Sequence, residues 1–150
     1  MTGFPIITLI QPWASWVAMG WKTGETRTSG RLLKQLENKY FFVHAGKAWD
    51  PLAIDAARPW LHPDKIAQTE EEFFGVRGHI LAMALGGKMR PMAKEDEPLA
   101  LIGSTYVPSP EDARIVGPAP LSRWFLPLDR VDPLEKPMPA RGQQGVWYMR

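Results

Sequence analysis

Lys22, Glu25 and Arg27 fall within one six-residue stretch, and together they carry a proton-transfer group and two cations. On an extended segment, residues two apart emerge on the same face, so Glu25 and Arg27 are expected to point the same way. With Lys22 folded over the turn at Thr23-Gly24, the trio presents a general acid or base beside two groups that hold a phosphate or an oxyanion. The same spacing also fits a bland arrangement, in which Glu25 and Arg27 form a surface ion pair of little energetic weight and Lys22 is solvated.

Other polar and aromatic residues could join such a site. Gln11 and Trp13 open a short helix, where unpaired backbone N–H groups favour anions and the indole offers a stacking surface, although a core role for Trp13 fits as well. His44 ends an apolar strand, and Lys47 follows it as a possible phosphate contact. Trp21 and Trp49 flank the basic segment and are the better candidates for stacking on an unpaired base, whereas Trp124 and Trp147 lie within strands and are predicted to be buried.

Several chemistries are disfavoured. The chain has no cysteine, which removes disulfides, thiolate zinc sites and a thiol nucleophile. His44, His62 and His79 are too scattered for a zinc spacing. Glu70, Glu71 and Glu72 splay over about 200° of a helix and so do not converge on a metal. With no glycine-rich phosphate loop either, neither a metal nor a cofactor is expected.

The elements that must position these residues can be read from periodicity and punctuation. Phe4–Ile10 is a β-branched apolar strand, followed by a helix over Pro12–Met19 that stops at Gly20. A short polar strand is expected at Glu25–Thr28, a surface helix or loop over Arg31–Asn38, and strong strands at Lys39–Ala45 and Arg77–Leu85. Helices are expected over Pro51–Arg58, from His62 to about Gly75, and over Ser109–Val116. Lys94–Pro98 reads as a charged loop. Leu121–Leu128 and Gly145–Met149 read as strands separated by an irregular, proline-rich stretch over Asp129–Gln144. Leu9, Val17, Phe42, Ile80, Ala82, Trp124 and Trp147 are expected to share one core. The pattern is mixed α+β, with the many short elements of a small barrel carrying helical insertions.

With 150 residues the chain has the size of one domain. No apolar run reaches the roughly 20 residues of a membrane span and no signal-peptide pattern opens the chain, which predicts a cytoplasmic location and no membrane partner. The net charge of +2 is too small to argue for nucleic acid, but its distribution is uneven. Lys22, Arg27, Arg31, Lys34, Lys39 and Lys47 outnumber Glu25 and Glu37, whereas the next stretch, through Gly75, is acidic. The basic segment is where an anion is expected to land.

Four blocks, taken in order, resemble the ASCH family. They are Gln11-Pro12-Trp13-Ala14, the turn Gly20-x-Lys22-x-x-Glu25-x-Arg27, His44-Ala45, and a tail with Arg123-Trp124-Phe125-Leu126 and Arg141-Gly142-Gln143-Gln144-Gly145-Val146-Trp147. The resemblance covers about 6–50, 78–86 and 122–148, leaving about 51–75 and 91–120 as insertions in a single ASCH/PUA-like domain over 1–150. It implies a small PUA-like β-barrel of five to six strands, a helix after the first strand, and a cleft between that helix and the barrel. It further implies a role with RNA, single-stranded nucleic acid or a nucleotide-like ligand, with Gln11, Trp13, Lys22, Arg27, His44, Lys47 and Arg141 as the ligand-binding set.

Two function classes remain. One is a binding module, with cations on phosphate and aromatics on base. The other is a metal-independent hydrolase with Lys22, Glu25 and His44 as catalytic groups, acting as a ribonuclease on single-stranded RNA or as an amidohydrolase on a modified nucleoside. The family's acetylcytidine amidohydrolase branch has threonine where this chain has Glu25, and it has a carboxylate on a central strand where Leu81–Leu85 supplies none. The amidohydrolase reading therefore falls below binding. Oligomeric state is not legible in the sequence.

Overall fold

The computed structural model describes residues 3–103 and 123–149. The apolar run IITLIQ forms β1 (Ile6–Gln11), and α1 (Trp13–Ala18) follows it directly. Next come β2 (Gly24–Arg27), α2 (Arg31–Leu36) and the ten-residue β3 (Tyr40–Trp49). Two helices follow, α3 (Ala53–Ala57) and α4 (Pro63–Glu72), the second starting at the His62 cap that accepts from the Asp64 amide. β4 (His79–Gly86), β5 (Arg90–Pro91), α5 (Glu97–Ala100), β6 (Trp124–Pro139) and β7 (Val146–Trp147) complete the described elements.

The strands form one curled, mixed sheet in the order β2-β6-β4-β3-β1-β7, with β5 also paired to β6. β1 runs parallel to β3 and every other pairing is antiparallel. This α+β half-barrel, with a helix directly after its first strand, is the architecture expected from the sequence.

The apolar faces of β1, β3 and β4 meet α1 and α2 in the main core, which contains Leu9, Val17, Leu33, Leu36, Phe41, Val43 and Leu126. Burial of Leu33 and Leu36 fixes 31–36 as a helix docked on the sheet rather than a loop. A second cluster lies between α1 and the α3–α4 segment, where Trp16 packs against Ala53, Ala57, Leu61, Ile66, Phe73 and Leu101. Ile6, Ile80 and Trp147 form a third, with half-buried Phe42 against it.

Four expectations are corrected. The proline-rich segment is not irregular up to Gln144, because β6 continues to Pro139. Prolines 133 and 139 pair with β4 on either side of a bulge between Ile80 and Ala82, and no described strand lies along the other edge there, the setting in which a strand tolerates proline. Trp124 is 38% exposed, since alternation on β6 turns Phe125 inward onto Gly24, where an added Cβ would stand only 2.1 Å from the Phe125 ring. The seven residues expected in one core are therefore divided between clusters, with the buried Ala82 and the exposed Trp124 in none. Lys94–Pro98 is a 3-10 turn running into α5, in which Asp96 accepts from the Ala93 amide. The helix expected over Ser109–Val116 and the start of the strand expected at Leu121 lie outside the described residues.

Candidate functional site

The turn after α1 drives Lys22 and Glu25 inward. The Lys22 amide donates to the Trp16 carbonyl and the Thr23 amide to the Leu99 carbonyl, tying the turn to α1 and α5. β2 then pairs with the start of β6, setting Glu25 opposite Leu126 and Arg27 opposite Trp124. The surface ion pair considered above is thereby excluded, because Lys22 is 1% and Glu25 4% exposed.

The three charges are coupled. Glu25 Oε1 lies 3.6 Å from Lys22 Nζ, and Oε2 lies 3.1 Å from an Arg27 nitrogen. Lys22 Nζ donates to the Ala100 carbonyl at 2.7 Å and stands 5.0 Å from the Trp13 ring. Glu25 Oε1 accepts from the Thr26 amide, whereas Oε2 is buried and has no hydrogen-bond partner in the protein. Burial drives the Lys22 ammonium down to about 8, with Glu25 opposing the shift and Arg27 and Arg123 adding to it. Burial alone would raise the Glu25 carboxyl, but Arg27, Lys22, the Thr26 amide and Arg123 overcome it and hold the group below the usual carboxylate range.

These residues face a cavity of about 360 Å³ lined also by Thr8, Ile10, Trp13, Asp50 and Arg123. The Trp13 indole is fixed by its N–H, which donates to Asp50 Oδ2 at 2.9 Å, while Asp50 Oδ1 accepts from the Leu52 amide. Arg123 Nε donates to Thr26 Oγ1. The cavity thus combines three cations, a buried carboxylate with an open acceptor, and an indole wall.

Other site candidates lie elsewhere. Gln11 is fully buried and lines neither cavity described here, since its amide donates to Ser15 Oγ and the Val76 carbonyl and its oxygen accepts from the Ser15 amide. That last bond occupies one of the N–H groups that made the helix start attractive for an anion. Trp21 and Trp49 are half-buried and pack against Phe73 and Phe74, away from the cavity.

His44 does not join Lys22 and Glu25. It sits in a second cavity of about 370 Å³ with Lys47, Arg141, Gly142, Gln143 and Gln144. Its Nε2 lies 2.7 Å from the Ala140 carbonyl, which only accepts, so Nε2 carries the proton. Burial, opposed by that bond and assisted by His79, lowers the ring's protonation point and favours the neutral form. Nδ1 then accepts from Thr8 Oγ1 at 3.2 Å, and Thr8 Oγ1 accepts from the Trp147 indole at 3.1 Å. With both nitrogens engaged, His44 orders the junction of β1, β3 and β7. The hydrolase trio of Lys22, Glu25 and His44 is therefore not assembled in one place.

Sequence reasoning passed over Thr8, Asp50 and Arg123. Arg123 had a signal, since it opens the Arg123-Trp124-Phe125-Leu126 block, but its place beside Thr26 depends on a pairing across 97 positions. Among the described residues no group of three or more His, Cys, Asp or Glu is placed to hold a metal, and no helix is long and apolar enough to cross a membrane.

No protein-family model matches the chain, and no curated protein sequence does. Among solved structures, the chain is similar to the ASCH protein of Zymomonas mobilis, with 12% identity and a TM-score of 0.49, over 97% of this chain and 87% of that one. A serine-to-alanine variant of the same protein matches with a TM-score of 0.48, at the same identity and coverage.

Proposed function

We propose that this chain is an ASCH-type domain whose first cavity binds the nucleotide unit of RNA or a related nucleotide. The observation that carries the reading is the coupled Lys22–Glu25–Arg27 array facing the cavity, in which the buried Glu25 Oε2 has the half-buried Arg27 guanidinium at 3.1 Å as an ion-pair partner but accepts no well-aligned hydrogen bond among the described residues. A buried acceptor left open carries a desolvation cost, and a ligand that brings an N–H group to it removes that cost. The exocyclic amines and ring N–H groups of nucleobases are such donors. Trp13 supplies a face for the base, and Lys22, Arg27 and Arg123 supply the positive potential for a phosphate. The sequence blocks quoted above support the family assignment independently of this geometry.

Binding is favoured over hydrolysis because His44 stands apart in the second cavity, so the Lys22, Glu25 and His44 trio that the ribonuclease reading requires is not assembled. The test is equilibrium binding of ribonucleoside monophosphates and single-stranded RNA across pH, in the presence of a chelator, with the RNA recovered and analysed afterwards. Lys22 loses its charge as pH rises through about 8, so affinity is expected to fall across that point, and to fall also with added salt. The RNA is expected to be recovered intact. Chelator-insensitive cleavage, or affinity that is flat through this pH range, would contradict the proposal.

A further inference from the structure

We infer that the ligand is a nucleic acid strand rather than a lone nucleotide, and that the phosphate following the bound unit lies in the second cavity. The inference rests on the reading of the first cavity as a nucleotide site.

The two cavities are joined at Thr8, which lines both. Parallel pairing sets Thr8 opposite His44, so these side chains share one face of the sheet, and Ile10, at the irregularity where β1 shifts register against β3, lines the first cavity with Thr8. A ligand leaving the first cavity along β1 crosses the neutral Thr8–His44 pair and enters the second.

The chemistry of the two cavities differs as the parts of a nucleotide strand differ. The first contains the carboxylates of Glu25 and Asp50 and the Trp13 ring, as a donor-bearing base requires. Among the described residues no Asp or Glu lines the second, whose charged residues are Lys47 and Arg141. Both are exposed, and among the described residues neither side chain makes an ion pair or hydrogen bond, so no described residue competes with an anion for them. Gln143 and Gln144 add amide donors.

Glycines let the second cavity's walls pack tightly on the Thr8–His44 pair. A Cβ at Gly46 would stand 2.9 Å from Thr8 Cγ2, and one at Gly142 would stand 2.8 Å from His44 Cε1 and 3.0 Å from Thr8 Oγ1. A side chain at either position would displace the Thr8–His44 pair that stands where the two cavities meet. A hollow of similar size whose described lining carries two cations and no carboxylate fits the next phosphodiester of a strand.

The experiment titrates oligoadenylates of one, two and four nucleotides, and the matching deoxy series, against the wild-type protein and a Lys47→Ala/Arg141→Ala double variant. For the wild type, affinity is expected to rise at least about tenfold from one nucleotide to two, as one added phosphate contact and its linked unit are engaged. In the double variant that gain disappears while mononucleotide affinity is unchanged. The slope of log affinity against log salt for the longer strands falls by about 0.7, the contribution of one phosphate on a single strand. A length gain in either series supports a strand, and one confined to the ribose series assigns RNA. Mononucleotide binding with no gain in length, or a double variant that weakens all lengths equally, would overturn the second subsite alone. Failure of every probe to bind would overturn it together with the nucleotide reading. Both substituted positions are exposed, and thermal unfolding of the double variant at the wild-type temperature keeps misfolding from mimicking either result.

Discussion

Replacing Trp16 with alanine is expected to destabilise the fold by about 3–5 kcal/mol, the range for removing a fully buried aromatic side chain. Trp16 is 0% exposed and lies at the centre of the cluster that joins α1 to the α3–α4 segment. Its indole meets the Trp13 ring edge-on with centroids 5.0 Å apart, and its N–H donates to Thr69 Oγ1 at 2.9 Å. Thr69 Oγ1 in turn donates to the Lys65 carbonyl on α4. Trp16→Ala would therefore open a cavity between two layers and release the support behind Trp13, the wall of the first cavity. Urea unfolding reads the effect as a lower midpoint at unchanged slope. Trp16→Phe keeps most of the apolar contact and loses only the N–H bond, so it should cost less than half as much. A loss below about 1 kcal/mol for Trp16→Ala would mean that the α3–α4 layer contributes little to stability.

Glu25→Gln is the second large effect, and it arises from charge rather than volume. The substitution keeps the shape of the side chain but leaves buried Lys22 beside Arg27 and Arg123 without its carboxylate, and breaking a buried pair in this way costs about 3–5 kcal/mol. Part of this loss is avoided if Lys22 gives up its proton, because Glu25 is the group that raises Lys22 against its burial. In Glu25→Gln the ammonium should titrate below 8, and the destabilisation should shrink as pH rises through that lowered value. Replacing both partners, as in Lys22→Met/Glu25→Gln, removes the stranded charge and should recover most of the stability of the single variant. Denaturant unfolding of the two singles and the double gives the coupling directly. If Lys22→Met and Glu25→Gln are additive, the pair is not a buried unit.

The same coupling explains how much of the site was legible beforehand. Lys22, Glu25 and Arg27 are close in sequence, so a turn and a short strand sufficed to bring them together. β1, β3 and β4 were legible for a related reason, since β-branched and aromatic runs have few alternatives to a buried strand. Burial of Lys22 and Glu25 was not legible, because it depends on α5 closing over Lys22 through the Ala100 carbonyl and on β6 pairing with β2. His44 was misassigned to the Lys22 cleft on the strength of its motif. Its position on β3 opposite Thr8, and its bond to Ala140 from a distant part of the chain, place it in the second cavity.

The length of β6 was missed because proline usually marks the end of a strand. Beside an open edge and a bulge proline is tolerated, and the strand continues past Pro133. Trp124 was misplaced for a simpler reason. Strand alternation gives only one of two neighbouring aromatics to the core, and the gap above Gly24 selects Phe125.

The central claim is that a nucleotide enters the first cavity and is held by the buried charges there. Its most direct test follows the Lys22 side-chain carbon next to the ammonium and the Trp13 indole N–H by NMR while a ribonucleoside monophosphate is added. Both signals are expected to shift saturably at a common affinity, and the Lys22 titration point, about 8 in the free protein, is expected to move upward on binding because a nearby anion favours the charged ammonium. Saturable binding that leaves the Lys22 titration point unmoved would contradict the account.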